Sequence, residues 1–428
     1  MTPRNHLIDL ARALSVVVVV TFHCLLYQIV VVDGAPQVVP WAPQPHGPWW
    51  TASWIVMIIP LFFIAGGFAH ALVIDRMRAQ RRSYSHYLAS RAVRLVGPLL
   101  LFVGFATVLS TAGAWLYSAE VSVTLSVQFA QLLWFIAIYL VIVGIAPWMI
   151  TLHDRWGAWP MLALTVLAAA VDAWSFAAGR PDLRYLNLLT VWPMCHQLGI
   201  AYYRGWFRRG PVWVPVTVAI AAAGLIPVLV FGLGYPASSI GLGDIPIANV
   251  LPPTLAMIVL ACGQVAVLGL LERAGVARTL PAGVQRALGV GNALAVTTYL
   301  WHIPCIVIAA GTLFGISRLL PDATGVLLSQ PMVALVTWLV IGGLVPLIGR
   351  AEYALIPRLD GDPGRNAIAA YLLLTAGTAL VWLHGTVLHP DRPWSAVGLV
   401  LLGTGMAWVT RTARAAGAEP LPGAARLD

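Results

Sequence analysis

The sequence predicts an all-α polytopic membrane protein, a bundle of about 12 transmembrane helices with both termini in the cytoplasm. Three observations carry that expectation. Of 428 residues, 60% are hydrophobic and only 10% charged, with a mean hydropathy of +0.84, a balance that a water-soluble domain does not show. Apolar runs of spanning length recur along the chain. The basic residues fall in alternate loops, as the positive-inside rule requires.

Taken in order, the runs lie at about 7–32, 50–74, 95–117, 128–150, 159–178, 185–203, 212–234, 247–271, 292–316, 331–349, 367–388 and 394–410. The first is longer than a signal-peptide core, lacks a small-residue cleavage site and is expected to stay as a span. The segment from Asp33 to Trp49, rich in proline and glycine and carrying Trp41 and Trp49, reads as an outer-face loop with an aromatic anchor. Gly232 to Pro246 reads as its counterpart later in the chain.

The net charge of +9 rests on 25 basic residues, all arginine. Those at 76–82, 155, 204–209, 273–286 and 350–365 fall on one side, against Arg180, Arg184, Arg318 and Arg392 on the other. Orientation therefore explains the charge, and no nucleic-acid partner is expected. Without lysine, Schiff-base and P-loop chemistries are excluded. Cys24, Cys195, Cys262 and Cys305 have no paired spacing and read as buried thiols, so no metal site is expected.

Arg12 and His23 stand eleven positions apart in the first span. At about 100° per residue this is roughly 20° beyond three turns, so both project from one helix face. At about 1.5 Å per residue they lie about 16 Å apart along the axis. A basic rim above a buried imidazole suits an elongated anionic ligand. Asp9, one turn before Arg12, reads as its local ion pair. Arg91 and Arg94, at i, i+3, open the third span; two forked guanidiniums beside Arg12 would clamp phosphates. His302 lies within the ninth span, beside Trp301 and two residues before Pro304, whose ring frees backbone groups that a cavity must satisfy.

These residues belong to five motifs: LIDLARALSVVVVVTFH with its Arg-x10-His spacing, PLFFIAGGF at 60–68, Arg-x-x-Arg at 91–94, LWFIAIYL at 133–140 and TYLWHIP at 298–304. Together, in this order, they resemble the membrane-bound acyltransferase 3 family. The resemblance implies an integral membrane enzyme of the inner membrane that moves an acyl group, commonly acetyl, from acyl-CoA to an acceptor hydroxyl. Acceptors in such proteins are envelope or exported carbohydrates or secondary metabolites, and acyl-CoA is a donor substrate, with no permanently bound cofactor expected. Matched by position, His23 is the catalytic histidine and Arg12 its paired arginine; Arg91 and Arg94 bind acyl-CoA. His302, Trp301, Tyr299 and Trp134 become candidates for the acceptor pocket. His23 would act as general base or become acylated itself.

Two departures from the family stand out. Many members carry a glutamate shortly after the tryptophan that matches Trp134, whereas this chain continues Phe135, Ile136, Ala137, Ile138, Tyr139. The usual core also has ten spans, so residues 1–350 read as the core, 351–414 as two added helices and 415–428 as a disordered cytoplasmic tail. The alternative reading is a twelve-helix secondary transporter of the major facilitator type, which shares the span count and terminus placement.

Overall fold

A computed structural model of the chain describes residues 5–32, 35–40, 48–241, 248–355 and 364–415. In chain order the elements are α1 (His6–Leu25), β1 (Tyr27–Val32), β2 (Ala35–Pro40), α2 (Pro48–Val56), α3 (Ile59–Ala79), α4 (Tyr84–Leu116), α5 (Ala119–Ala130), α6 (Leu133–Trp156), α7 (Trp159–Ala178), α8 (Val191–Tyr203), α9 (Trp213–Pro227), α10 (Leu255–Arg273), α11 (Ala282–Ala293), α12 (Ala295–Leu319), α13 (Thr324–Leu327), α14 (Gln330–Leu355), α15 (Asn366–His384) and α16 (Pro393–Ala415). The protein is all-α and polytopic, and among the described residues eleven helical segments are long and apolar enough to cross a bilayer. The tail at 416–428 and the anchor Trp41 lie outside the described residues.

The first run departs from expectation. Its helix stops at Leu25, and the β-branched stretch that follows pairs as an antiparallel hairpin in which Val32 faces Ala35. Strand residues of this type favour a pleated, half-buried surface over continued helix. Here that surface exists: Ile29 packs against the cluster of Leu313, Leu328 and Val333. His23 therefore sits in the last turn of α1.

The sixth expected span is also shorter than its apolar run. A nine-residue 3₁₀ segment, Pro181–Leu189, leads into the 13-residue α8. Polar residues shape this segment: Asn187 donates to the Asp172 carboxylate at 2.9 Å, and Arg184 Nε donates to Ser175 Oγ at 3.0 Å, fastening it to the end of α7. At the opposite end Arg204, just past α8, makes two bonds of 2.7 and 2.8 Å to Asp154, at the end of α6. The chain thus returns to the level from which α7 started, although the 13-residue α8 is not among the eleven segments long enough to cross.

The chain forms two compact units, one of Met1–Leu72 with Ala146–Leu344 and one of Val73–Ile145 with Val345–Asp428. In the first, the loop after α9 is secured by buried polar bonds. Trp54 donates to the Ala237 carbonyl at 2.8 Å, Asn249 donates to the carbonyls of Pro236 and Ser238, and Tyr235 donates to Asp172 at 2.9 Å. In the second, Ser83 Oγ caps α4 by accepting from the His86 amide at 3.0 Å. The α15–α16 hairpin packs there against α4 and α5.

Candidate active site

Helix α1 is gripped along its length within the first unit. Asn5 caps it, its Oδ1 accepting from the Ile8 amide at 3.1 Å, and Asn292 of α11 donates to the Asp9 carbonyl at 3.0 Å. Near the other end, Trp338 of α14 donates to Thr21 Oγ1 at 3.1 Å and Gln330 to the Leu25 carbonyl at 2.6 Å. These two bonds bracket His23 by two residues on each side. Neither Gln330 nor Trp338 belongs to any of the five motifs.

His23 meets His302 of α12, with ring centroids 4.8 Å apart and planes at 68°. His23 Nδ1 lies 2.7 Å from the Val19 carbonyl, and His302 Nδ1 lies 2.6 Å from the Tyr299 carbonyl. A carbonyl only accepts, so each Nδ1 carries a proton, and in the neutral ring each Nε2 is then the acceptor. The two rings differ in access. His23 is half-buried, whereas His302 is fully enclosed and its Nε2 has no hydrogen-bond partner among the described residues. Such a buried acceptor is costly unless a ligand or water satisfies it.

Tyr299, half-buried, sets its ring 5.9 Å from that of His302, and Trp301 is buried beside it. Arg12 shares the uninterrupted α1 with His23, which preserves the spacing of about 16 Å. Asp9 occupies the first turn, where the helix N-terminus favours a carboxylate.

Arg91, Arg94 and Trp134 belong to the second unit. Arg91 is half-buried with its guanidinium carbon 5.8 Å from the centre of the Tyr87 ring, and its buried Nε has no partner among the described residues. Arg94 is exposed. Trp134 is buried, and the positions after it are filled by apolar packing: Ile136, Ala137 and Ile138 are buried and Phe135 stacks on Tyr139 at 5.8 Å. No carboxylate occupies that stretch. The second unit does hold a buried carboxylate that the motifs passed over, Glu352, 5% exposed near the end of α14.

The fold is that of a polytopic helical membrane protein in which two imidazoles meet beside the last turn of the first helix. The chain belongs to the acyltransferase 3 family, whose sequence model, described as an acyltransferase domain, matches residues 5–349. It is therefore a membrane acyltransferase. The match includes the positions of all five motifs and ends before α15. No curated protein and no solved structure matches the chain.

Proposed function

We propose that the protein is an O-acyltransferase that moves an acyl group, commonly acetyl, from acyl-CoA to a hydroxyl of an envelope or exported carbohydrate or of a secondary metabolite, working in the cytoplasmic membrane. The observation that carries this reading is the 2.7 Å hydrogen bond between His23 Nδ1 and the Val19 carbonyl. With Nδ1 committed to Val19, its Nε2 is a lone pair at a half-accessible ring. A hydroxyl is a weak nucleophile near neutral pH, and a positioned imidazole that takes its proton contributes about 10² to 10⁴ in rate.

The acceptor hydroxyl gives its proton to His23 Nε2 while its oxygen attacks the thioester carbonyl. The carbon–sulfur bond breaks, and the imidazolium returns the proton to the departing thiolate, so CoA leaves as the free thiol and His23 is regenerated. His302 Nε2, enclosed and lacking a donor, is suited to orient the hydroxyl or a polar neighbour on the acceptor. Tyr299 and Trp301 flank that point; Trp134 keeps its place as a pocket candidate in the second unit. Arg91, with an unsatisfied Nε, and Arg94 are assigned to the phosphates of the donor, and Arg12 to the same anionic end. Membership in an acyltransferase family weighs against the transporter alternative.

The test is thiol release from acetyl-CoA by the purified protein, with mass spectrometry of envelope glycans and secreted metabolites from a deletion strain supplying the acceptor. His23→Ala should abolish release while the protein still accumulates in the membrane. Full activity in that variant overturns the assignment.

A further inference from the structure

Helices α15 and α16 lie beyond the residues that the family model matches, yet α15 packs against α4, the helix that carries the proposed donor-binding arginine. Three tyrosines donate to one row of α6 carbonyls: Tyr371 to Leu140 at 2.7 Å, Tyr87 to Val143 at 3.1 Å and Tyr84 to Gly144 at 2.8 Å. The row has a local cause. Pro147 stands inside α6 and brings no amide hydrogen, so the Val143 carbonyl loses its i+4 partner. Tyr87 supplies the missing donor, and it is the same ring that lies under the Arg91 guanidinium one turn along α4.

Tyr371 is 4% exposed and lies within electrostatic reach of Tyr84, Tyr87, Tyr139 and Arg91. Its bond to Leu140 falls one helical turn from the carbonyl that Tyr87 holds, on the same face of α6. A shift of α6 against α15 would move the Val143 carbonyl, then Tyr87, then Arg91. A bare hydrophobic contact would tolerate such sliding; a buried hydroxyl bonded to a carbonyl does not.

We infer that Tyr371, brought by the C-terminal helix pair, is a positioning residue for Arg91, and that this pair is a working part of the donor-binding unit. The inference rests on the assignment of Arg91 to the donor phosphates. Tyr371 itself touches no reacting atom; it acts by fixing the α6 carbonyl row on which the Tyr87–Arg91 stack is registered.

The experiment compares binding of two donors, acetyl-CoA and the phosphate-free acetyl-pantetheine, to the full-length protein in lipid nanodiscs. Tyr371→Phe keeps the ring and removes only the hydroxyl. We expect Tyr371→Phe and Arg91→Gln each to weaken acetyl-CoA about tenfold and to leave acetyl-pantetheine within about twofold, with the double variant no more than about twofold worse than Arg91→Gln alone. Unchanged acetyl-CoA binding in Arg91→Gln defeats the donor assignment and the inference with it. Three outcomes overturn the positioning role alone: Arg91→Gln weakens binding but Tyr371→Phe does not, Tyr371→Phe weakens both donors alike, or the losses of the two single variants multiply in the double.

Discussion

His23 and His302 set their rings 4.8 Å apart, each with Nδ1 bonded to a carbonyl of its own helix and Nε2 left as an acceptor. Two imidazoles in that state cannot bond each other through Nε2, since neither offers a proton there. The enclosed His302 Nε2 still needs a donor, and an acceptor hydroxyl is one. His302→Gln should therefore lower kcat up to about 100-fold, the scale on which misplacing a reacting group by about 1 Å is felt, with little change in KM for acetyl-CoA. Initial rates of thiol release at saturating donor measure this. A kcat within twofold of the parent removes His302 from the reaction.

Gln330 and Trp338 hold the chain on both sides of His23, at Leu25 and Thr21. Losing either bond leaves the helix intact but frees its last turn, where a small displacement of the base is felt in the rate. Gln330→Leu and Trp338→Phe should each reduce kcat about three- to tenfold, an effect on the scale of one hydrogen bond. The midpoint of thermal unfolding in the same detergent should barely move. Parallel falls in kcat and stability would mark the two as structural fasteners only.

The spans were legible because a bilayer permits little else: a run of about 20 apolar residues must close its own hydrogen bonds as helix. The errors fall where that constraint relaxes. Val30 to Val32 prolong the first run in hydropathy, yet the Asp33-Gly34 pair behind them is a strong hairpin signal that hydropathy does not weigh. Around Asn187 the polar side chains that shorten the sixth run find partners 15 residues earlier, on α7. The two candidate histidines were legible from motif; the depth expected for His23, well inside the span, gives way to a place in the last turn of α1. The supports were not legible, since Gln330 and Leu25 are separated by 305 positions and Tyr371 and Leu140 by 231. No local pattern announces such pairs.

Asp172 gathers the polar interior at the far end of α7. Its carboxylate accepts from Asn187 at 2.9 Å, from Tyr235 at 2.9 Å and from the Leu255 amide at 2.7 Å. Asp172→Ala takes the acceptor from the Tyr235 hydroxyl and the Leu255 amide and leaves Asn187 only its 3.4 Å bond to the Ala168 carbonyl, each loss costing about 1–3 kcal/mol. The variant should lose about 3 kcal/mol or more in denaturant unfolding, and limited chymotrypsin digestion should cut near Tyr235 before the rest of the chain. Resistance at Tyr235 equal to the parent would show that the loop is held by Trp54 and Asn249 instead.

Gly67 of α3 and Gly199 of α8 meet at a close helix crossing in the first unit. A β-carbon on Gly67 would be driven into the carbonyl oxygen of His196, and one on Gly199 into that of Ile64. The contact is reciprocal, each glycine lying against the backbone of the other helix, as small residues allow in membrane bundles. It also sets the buried bond between His70 Nδ1 and His196 Nε2, 2.9 Å long. Alanine at either glycine forces the helices apart, at about 1–3 kcal/mol for overpacking, and stretches that imidazole bond. Gly224→Ala on α9 is the control, because its added methyl would meet open space and a helical glycine gains about 0.5–1 kcal/mol on becoming alanine. Melting curves of the three variants in one detergent should place Gly67→Ala and Gly199→Ala below the parent and Gly224→Ala at or above it. If all three coincide, the backbones are not in contact at this crossing.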